Sequence, residues 1–429
     1  MNNITTVPHL TTASTAPLRQ LEKHILDHQV KIETWFRKAF QTYTPPIYSS
    51  VDLRNAGFKL APVDTNLFAA GFNNLNEEFM PLCIQAAQNT LNQRFSGCEK
   101  ILLIPENHTS NIGYFENLAT LQNILIKAGY DTRIGSLLPE LTKTKTIDLP
   151  SGKQITLSPI VRDNNQIGLE NFAPCIVILN NDLSSGIPDI LKDIEQPILP
   201  PLELGWAHRL KSTHFTHYQK VSEEFAELIN IDPWLINPLF QQCEQVDFMS
   251  GEGEQCLIDN INLLLKNIQR KYQQYAIEEA PFVIVKADAG TYGMGVMSIK
   301  SADEITSLNR KQRSKMSASK GKQQVSKVII QEGVYSFETI GENQAVAEPV
   351  VYMIGSNVVG GFYRVHSGKS SHDNLNAPGS HFEALAFADS CCNPSFRGKE
   401  IPNRFYSYGV IARLAVLAAA REQKEVSLD

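Results

Sequence analysis

Apolar residues near the N-terminus recur at helical spacing. They predict a helix that begins near residues 16–17 and packs one face against the rest of the protein. The residues on that face are Leu18, Leu21, Ile25, Ile32, Phe36 and Ala39. Residues 42–76 follow neither the helical nor the strand period and are dense in Asn, Asp, Gly and Pro. This segment is predicted to form strands and loops.

A short apolar run at residues 101–104 predicts a buried strand. A helical pattern follows from about 111 to 128, where Gly129 suits the end of the helix, and a second strand is expected at 132–134. Strand, helix and strand in this order form a βαβ unit, which indicates an α/β fold with a parallel sheet. Residues 175–179 predict a further buried strand of this sheet.

The second half of the chain has a different pattern. Prolines cluster at residues 197–201, which predicts a domain boundary. Residues 222–280 are predicted to be mostly helical, and residues 281–366 are predicted to form strands. A basic insert rich in Ser and Gln at 310–327 predicts a surface loop, and the chain ends on an Ala-rich helix at about 407–424.

These elements predict two domains. Residues 1–200 would form a Rossmann-like α/β domain that binds substrate, and residues 201–429 would form a second domain with α+β lobes. A chain of 429 residues with 42% hydrophobic residues can build cores of this size.

Charge and composition argue against some classes of function. The net charge of −6 argues against a general nucleic-acid binder, which usually carries a basic excess. No run of 18 apolar residues suggests a membrane span, and the first residues do not resemble a signal peptide. The cysteines are scattered without a CxxC pair, so we expect reduced thiols and a cytoplasmic protein.

The strongest chemical signal lies at residues 283–296. A strand ends in Lys286, a loop with Gly290, Gly293 and Gly295 follows, and a second strand comes next. Glycines allow backbone N–H groups to approach an anion closely, and the lysine adds positive charge. The pattern indicates a phosphate-binding loop, although a hairpin that only needs glycines remains an alternative.

Two other nucleotide motifs fit less well. A Rossmann fingerprint needs GxGxxG leading into a helix, whereas here the order is GxxGxG and a strand follows. A Walker A loop needs GxxxxGK[ST]. The run Gly368-Lys369-Ser370 has Tyr363 where that motif requires its first glycine, and no long helix is expected after it.

Further polar residues follow the glycine loop in a defined order. A strand runs into a polar hinge at residues 331–334, and Glu338, Glu348, Arg364 and the Asn-rich run 374–379 come after it, all within about 95 residues of Lys286. This order resembles the ATP-grasp superfamily, in which two β-rich lobes hold ATP between them. The resemblance implies a two-lobed ATP-grasp domain in the second half of the chain.

The ATP-grasp resemblance implies a role for each of these positions. Lys286 and the loop glycines would lie at the phosphates, with Lys286 and Arg364 serving catalysis. Arg364 would face the phosphoryl group that is transferred. Adenine would contact Gln331, Glu332 and Val334, ribose would contact Glu338, and Mg²⁺ would contact Glu348, Asn374 and Asn376.

Asn374 departs from the superfamily pattern, which usually has Glu at this position. An amide oxygen can bind Mg²⁺ but brings no charge. A carboxylate must therefore come from elsewhere, and Glu348 and Asp373 are the candidates. Alternatively, residues 374–379 form only an Asn/Pro/Gly turn.

Longer runs of residues point to one family within this superfamily. Residues 55–68, 71–75, 286–295 and 374–379 resemble a proteobacterial glutamate–cysteine ligase family. The resemblance implies ATP and Mg²⁺ as cofactors and L-glutamate and L-cysteine as substrates. It also implies that ATP activates the γ-carboxylate of glutamate for attack by the amine of cysteine.

Charged and amide side chains in residues 52–76 suit an amino-acid substrate. Arginine or lysine would bind a carboxylate, and aspartate would bind an ammonium group. The candidates are Arg54, Lys59, Asp64, Asn66, Asn73 and Asn74, with Arg209 or Lys211 adding positive charge. A well hydrogen-bonded loop is the alternative for this segment. For the whole chain, the alternatives are a ligase for another amino-acid pair and a regulatory protein that binds ATP without consuming it.

Overall fold

The structure is a computed structural model that describes residues 10–11, 16–107, 110–290, 295–317, 325–383 and 404–426. The helices are, in chain order, α1 (Ala16–Asp27), α2 (Gln29–Thr42), α3 (Met80–Arg94), α4 (Ile112–Lys127), α5 (Lys211–Ile229), α6 (Glu254–Gln274), α7 (Asp303–Thr306), α8 (Arg310–Met316) and α9 (Arg404–Val426).

The strands of the first half are β1 (Leu10–Thr11), β2 (Tyr48–Asn55), β3 (Leu60–Asn66), β4 (Lys100–Pro105), β5 (Asp131–Ser136), β6 (Lys145–Asp148), β7 (Gln154–Pro159), β8 (Val161–Asp163), β9 (Gln166–Gly168), β10 (Ile176–Asn180) and β11 (Ile198–Leu199). The strands of the second half are β12 (Phe240–Glu244), β13 (Val283–Ala287), β14 (Val296–Ile299), β15 (Lys327–Glu332), β16 (Thr339–Ile340), β17 (Ala345–Ile354), β18 (Asn357–His366) and β19 (His381–Glu383).

A six-stranded sheet in the order β11-β10-β4-β5-β7-β6 forms the α/β part of the molecule. All neighbours are parallel except β6 and β7. The central strands β4 and β10 are almost wholly apolar and buried, as expected when both faces of a parallel sheet are covered. The predicted βαβ unit is confirmed by β4, α4 and β5.

A four-stranded antiparallel sheet, in the order β12-β15-β13-β14, packs against α6. The prediction that residues 222–280 are mostly helical was wrong for β12, which pairs with β15 along its whole length. Pairing with a distant strand outweighed the local pattern here.

The predicted loop at 310–327 was wrong for α8, whose first turn is closed by a reciprocal cap between Asn309 and Gln312. Residues 318–324 of that insert lie outside the described part of the chain.

A seven-stranded sheet has β17 at its centre. One side of β17 pairs with β18, and the other side pairs with β2, which in turn pairs with β3. An N-terminal hairpin therefore completes a sheet whose other main strands come from the C-terminal half. The domain division at residue 200 stays a prediction, and this sheet contains strands from both sides of it.

Helix α9 covers one face of the seven-stranded sheet and also packs on α5. Its residues 405–420 are all buried, which fits a helix that is apolar on every side. Helix α3 lies against β17 and β18, and it belongs to the core that includes the six-stranded sheet. Among the described residues, no helix is long and apolar enough to cross a membrane.

Two local features differ from the sequence predictions. The N-terminal helix is divided at His28 into α1 and α2, although Leu18, Ile25 and Ile32 are buried in one core as predicted. The structure also pairs Cys98 with Cys175 and Cys243 with Cys256 as disulfides, in place of the expected reduced thiols. The first pair stands just before the neighbouring strands β4 and β10, so the pairing of distant strands brings the two thiols together.

We expect Val351→Ala to lower the free energy of unfolding by about 2 kcal/mol, because Val351 is fully buried at the centre of β17 and the change leaves a cavity. Val30→Ala is the matched control, because Val30 is 76% exposed and its change should stay within about 0.5 kcal/mol. Chemical denaturation followed by circular dichroism measures both. Equal effects of the two substitutions would contradict the central position of β17.

Candidate active site

A cleft lies between the four-stranded sheet and the charged face of the seven-stranded sheet. Strands of both sheets and the loops that follow them supply its walls. The residues that line it are Asp52, Arg54, Val63, Asp64, Lys211, Ile284, Lys286, Ala287, Gly290, Val296, Gln331, Glu332, Val334, Glu348, Asn374 and Asn376. Most of the residues that the sequence singled out are therefore brought to one place.

The wall formed by the seven-stranded sheet carries a row of opposite charges. Side chains alternate along a strand, so Asp52 and Arg54 of β2 point to the same face. Glu348 of β17 and Arg364 of β18 are direct cross-strand partners. Asp64 of β3 lies opposite Asp52. Pairing of four strands places these charges side by side.

Two arginines hold the carboxylates of this row. Arg364 Nη1 donates to Asp52 Oδ2 at 2.7 Å and to Glu348 Oε1 at 2.5 Å. Arg54 Nε donates to the other oxygen of Glu348 at 3.2 Å. Arg54 also donates to the backbone carbonyls of Val334 and Asp373, so it links the hinge to the loop that contains Asn374.

Burial shifts the pKa values of ionisable groups in the row. It would by itself lower the pKa of Arg364, but the carboxylates of Asp52 and Glu348 outweigh it and raise that pKa above its ordinary value. Burial raises the pKa of Asp52, with Glu348 adding to the rise and Arg364 opposing it. The arginine therefore stays charged, and its charge opposes the rise in the pKa of Asp52.

Two lysines face this row from the other side of the cleft. Lys286, at the end of β13, donates to Val63 O and to Gln331 Oε1, each at 2.8 Å. Lys211, at the start of α5, donates to Gly290 O at 2.6 Å. Burial lowers the pKa of Lys286, and it lowers the pKa of Lys211 to about 8. The cleft thus offers positive charge next to the glycine loop.

The glycine loop begins where β13 ends. Gly290 has φ +97°, a left-handed conformation that glycine adopts without strain, and its N–H donates to Trp206 O at 3.0 Å. Gly295 closes the loop with φ +63° and accepts from the Ala287 N–H at 3.2 Å. Gly293 lies outside the described residues.

Comparison with known proteins decides the family. A family model described as GshA, glutamate-cysteine ligase, matches residues 22–423. The chain belongs to this family. A solved structure from Methylobacillus flagellatus KT, described as a gamma-glutamylcysteine synthetase, is 55% identical with a TM-score of 0.91, and the match covers 98% of this chain and 99% of that one.

Two more distant structures were also found. A glutathione synthetase-like effector from Globodera pallida is 10% identical with a TM-score of 0.36, and the match covers 86% of this chain and 82% of that one. A RimK domain ATP-grasp protein from Sphaerobacter thermophilus is 10% identical with a TM-score of 0.29, over 74% of this chain and 97% of that one. No curated protein matches the chain.

Several residues predicted for the site of this glutamate-cysteine ligase family member lie away from the cleft. Lys59 is 0% exposed, and its Nζ donates to Glu332 Oε2 at 2.7 Å while lying 4.3 Å from the centre of the Trp234 ring. Glu338, predicted at ribose, is also 0% exposed and accepts from the hydroxyls of Tyr363 and Tyr408. Both side chains are packed in the interior and do not line the cleft.

Arg209 also lies in the interior. Its Nε and Nη2 donate to the two oxygens of Glu422 at 2.9 Å each, and its Nη1 donates to Thr65 O at 2.6 Å. Burial would raise the pKa of Glu422, but Arg209 and His214 lower it to about 2. The pair joins α9 to β3, so the positive charge of Arg209 is already neutralised.

The amides Asn66, Asn73 and Asn74 also lie outside the cleft lining. Asn66 accepts from the Trp206 indole N–H at 3.3 Å and from the Phe68 N–H at 2.9 Å. Asn73 and Asn74 bond to each other in a single helical turn, and Asn73 is exposed. These contacts match the hydrogen-bonded loop that the sequence left open as an alternative.

The carboxylates that line the cleft together with Asn374 lie on strands. Asn374 accepts from the Asn376 N–H at 3.0 Å, as in a simple Asn turn, and both residues line the cleft. Asp373 accepts from the N–H and hydroxyl of Ser370 and does not line it. Glu348 lines it together with Asp52, which the sequence analysis missed. The alternation of Asp52 and Arg54 along one strand was the signal that could have revealed it.

The oxygen donors of the cleft fit a magnesium ion. Mg²⁺ prefers carboxylate and amide oxygens, and Asp52, Asp64, Glu348, Asn374 and Asn376 supply them along one cleft. Among the described residues, no cluster of three His, Cys, Asp or Glu side chains stands ready to hold a metal alone.

We expect Lys59→Met to destabilise the protein by about 3–5 kcal/mol, because it leaves the buried carboxylate of Glu332 without its charge partner. The double variant Lys59→Met/Glu332→Gln should recover part of this loss, because the amide is neutral and its one oxygen still accepts from either Trp234 Nε1 or Leu239 N. Chemical denaturation measures the free energy of unfolding of each protein in this double-mutant cycle.

The control for this cycle is Lys23→Met, which breaks the exposed pair of Lys23 with Asp27. It should change the free energy of unfolding by less than about 1 kcal/mol. A Lys59→Met protein as stable as this control, but with a raised KM for an amino-acid substrate, would restore Lys59 to the substrate site.

Proposed function

We propose that the protein is an ATP-dependent ligase that joins the γ-carboxylate of L-glutamate to the amine of L-cysteine, the first step of glutathione biosynthesis. The observation that carries this proposal is the cleft itself. It places Lys286 and Gly290 on one wall, opposite a row of arginines and carboxylates on the other. Family membership supports the reaction and its substrates.

The reaction consists of two displacements. An oxygen of the glutamate γ-carboxylate attacks the γ-phosphorus of ATP, which forms γ-glutamyl phosphate and releases ADP. The amine of cysteine then attacks the acyl carbon, the carbon–oxygen bond to phosphate breaks, and the amine proton passes to solvent. No protein nucleophile takes part, so catalysis rests on positioning and charge neutralisation.

Positive side chains from both walls of the cleft would neutralise the negative charge of the phosphoryl group. Lys286 lines the cleft, and Arg364 is not a lining residue but bonds to two residues that are, Asp52 and Glu348. Both would face the negative charge that develops on the phosphoryl oxygens, and Lys211 would add charge beside Gly290. Arg364 begins the cycle bound to Asp52 and Glu348, which hold it in place before substrate arrives. A pre-positioned charge needs little reorganisation in the transition state.

The metal site would combine three strand-borne carboxylates with the Asn loop. Asp52, Asp64, Glu348, Asn374 and Asn376 would hold Mg²⁺, and the bound ion would neutralise phosphate charge. Asp52 and Asp64 provide the carboxylates that Asn374 lacks. The glycine loop would close over the phosphates and exclude water, which otherwise hydrolyses an acyl phosphate.

The protein is expected to form ADP only when Mg²⁺-ATP, L-glutamate and L-cysteine are all present, together with a dipeptide of matching mass. A coupled ADP assay with each amino acid omitted in turn, followed by mass spectrometry, measures this. ADP release with a different amino-acid pair would keep the ligase and discard the substrates. ATP binding without ADP release under any pair would favour the regulatory alternative.

We expect Asp52→Asn to weaken Mn²⁺ binding roughly tenfold in the presence of a non-hydrolysable ATP analogue, because it removes a charged ligand from the site. Electron paramagnetic resonance of Mn²⁺ measures the affinity without turnover. Asp373→Asn is the matched control, since that carboxylate is bound to Ser370 and should leave the affinity unchanged. Loss of affinity in the control alone would move the metal to Asp373.

A further inference from the structure

A second cavity lies outside the cleft, at the far end of the strands that hold the row of charges. Its volume is about 340 Å³, which is within the range of small-molecule sites. The end of α2, the residues just before β2, the last two turns of α3 and the turn between β17 and β18 form its walls. Tyr48 of β2 and Ile354 of β17 are paired at this end of the sheet. Among the described residues, none lines both this cavity and the cleft.

Arg94, the last residue of α3, is the charged side chain of the second cavity. It donates to the backbone carbonyl of Pro45, and no other hydrogen bond or ion pair joins it to the described part of the protein. Burial lowers the pKa of Arg94 to about 10, and no carboxylate of the described residues counteracts this shift. The fully buried arginines of the described chain differ from it, because each binds a carboxylate: Arg54, Arg209, Arg364 and Arg413.

The other polar side chains of the second cavity are neutral. Asn89 and Gln93 stand one turn apart on α3, and Ser356 belongs to the turn between β17 and β18. No Asp or Glu of the described residues lines the cavity, so its one charge is positive. Amide N–H and hydroxyl groups can donate to an anion, and they bring no negative charge that would repel it. The lining therefore favours an anionic ligand.

The shape of the guanidinium group narrows the kind of anion. Arginine carries its N–H donors in one plane, and the hydrogen bond to Pro45 leaves most of them for a ligand. Carboxylate and phosphate groups can accept from two of these donors at once. Because Arg94 and Ser356 line the same cavity, one such anion would contact both α3 and the turn between β17 and β18.

We propose that the second cavity binds a small oxyanion, a phosphate or a carboxylate, through Arg94 and the neutral donors of α3 and of the β17–β18 turn. This inference goes beyond the proposed function, because the site shares no residue with the cleft and needs no ATP. A bound anion would tie α3 to the ends of β17 and β18. The same two strands carry Glu348 and Arg364 of the row of charges farther along.

Arg94→Gln is the first test, because it removes the charge and keeps an amide that can donate to Pro45. Isothermal titration with inorganic phosphate and with succinate, without Mg²⁺ or nucleotide and at constant ionic strength, measures the affinity. We expect wild type to bind at least one of the two anions, and Arg94→Gln to bind it about tenfold more weakly, because a charge-assisted hydrogen bond is lost. Arg270→Gln, at an exposed arginine on α6, is the matched control and should leave the affinity unchanged.

Asn89→Asp tests the cavity without a change at Arg94. Asn89 is exposed, so the substitution should leave the fold intact, and its carboxylate would repel an anion. We expect the affinity to fall about tenfold in this variant as well. Gln88→Glu adds a carboxylate at an exposed position of α3 that does not line the cavity, and it should change the affinity much less.

The two anions also distinguish the sources of the ligand. Tighter binding of phosphate would identify a phosphate ligand, and tighter binding of succinate would identify a carboxylate; both results support the site. An anion that binds in the cleft instead would be retained in Arg94→Gln and in Asn89→Asp. Equal affinities in wild type and both variants, or no binding of either anion by wild type at millimolar concentrations, would overturn the inference.

Discussion

The structure depends on one buried row of charges across the seven-stranded sheet. Arg364 binds Asp52 and Glu348, and Arg54 binds Glu348 from the other side. Asp52 and Arg364 are 312 positions apart in the chain. Taking such charges out of water is costly, and the cost is offset only when every charge has a partner. The charges are therefore paired only when β2 of the N-terminal hairpin and β18 align with β17 in this register.

The rest of the candidate active site depends on the contact between the N-terminal hairpin and the C-terminal strands. The hairpin of β2 and β3 brings Asp52, Arg54 and Asp64 beside β17, and α9 covers the opposite face of the same sheet. The four-stranded sheet then closes the cleft with Lys286, whose ammonium contacts the hairpin at Val63 O. Each wall of the cleft thus contacts the N-terminal hairpin, although the lysine and glycine loop lie far along the chain.

Buried polar residues near the cleft fall into two groups with different tasks. Lys59 with Glu332 and Arg209 with Glu422 satisfy each other within the interior, and they set the positions of the hinge and of α9. Lys211, Lys286 and Gln331 line the cleft. The first group holds the surrounding elements in place, and the second group lies where a ligand in the cleft would contact it. A rigid frame around a few available donors is the arrangement that positioning catalysis requires.

The sequence by itself determined several buried strands and indicated the kind of chemistry. Apolar runs predicted β4, β10, β13 and β15 because burial of a strand shows in consecutive residues. Lysine before a glycine loop predicted phosphate binding because these residue types suit an anion wherever they lie. The tertiary structure alone decided which polar residues share the cleft. Asp52 entered it while Lys59 and Glu338 were enclosed, since strand pairing and burial join residues whose distance in sequence carries no sign of their contact.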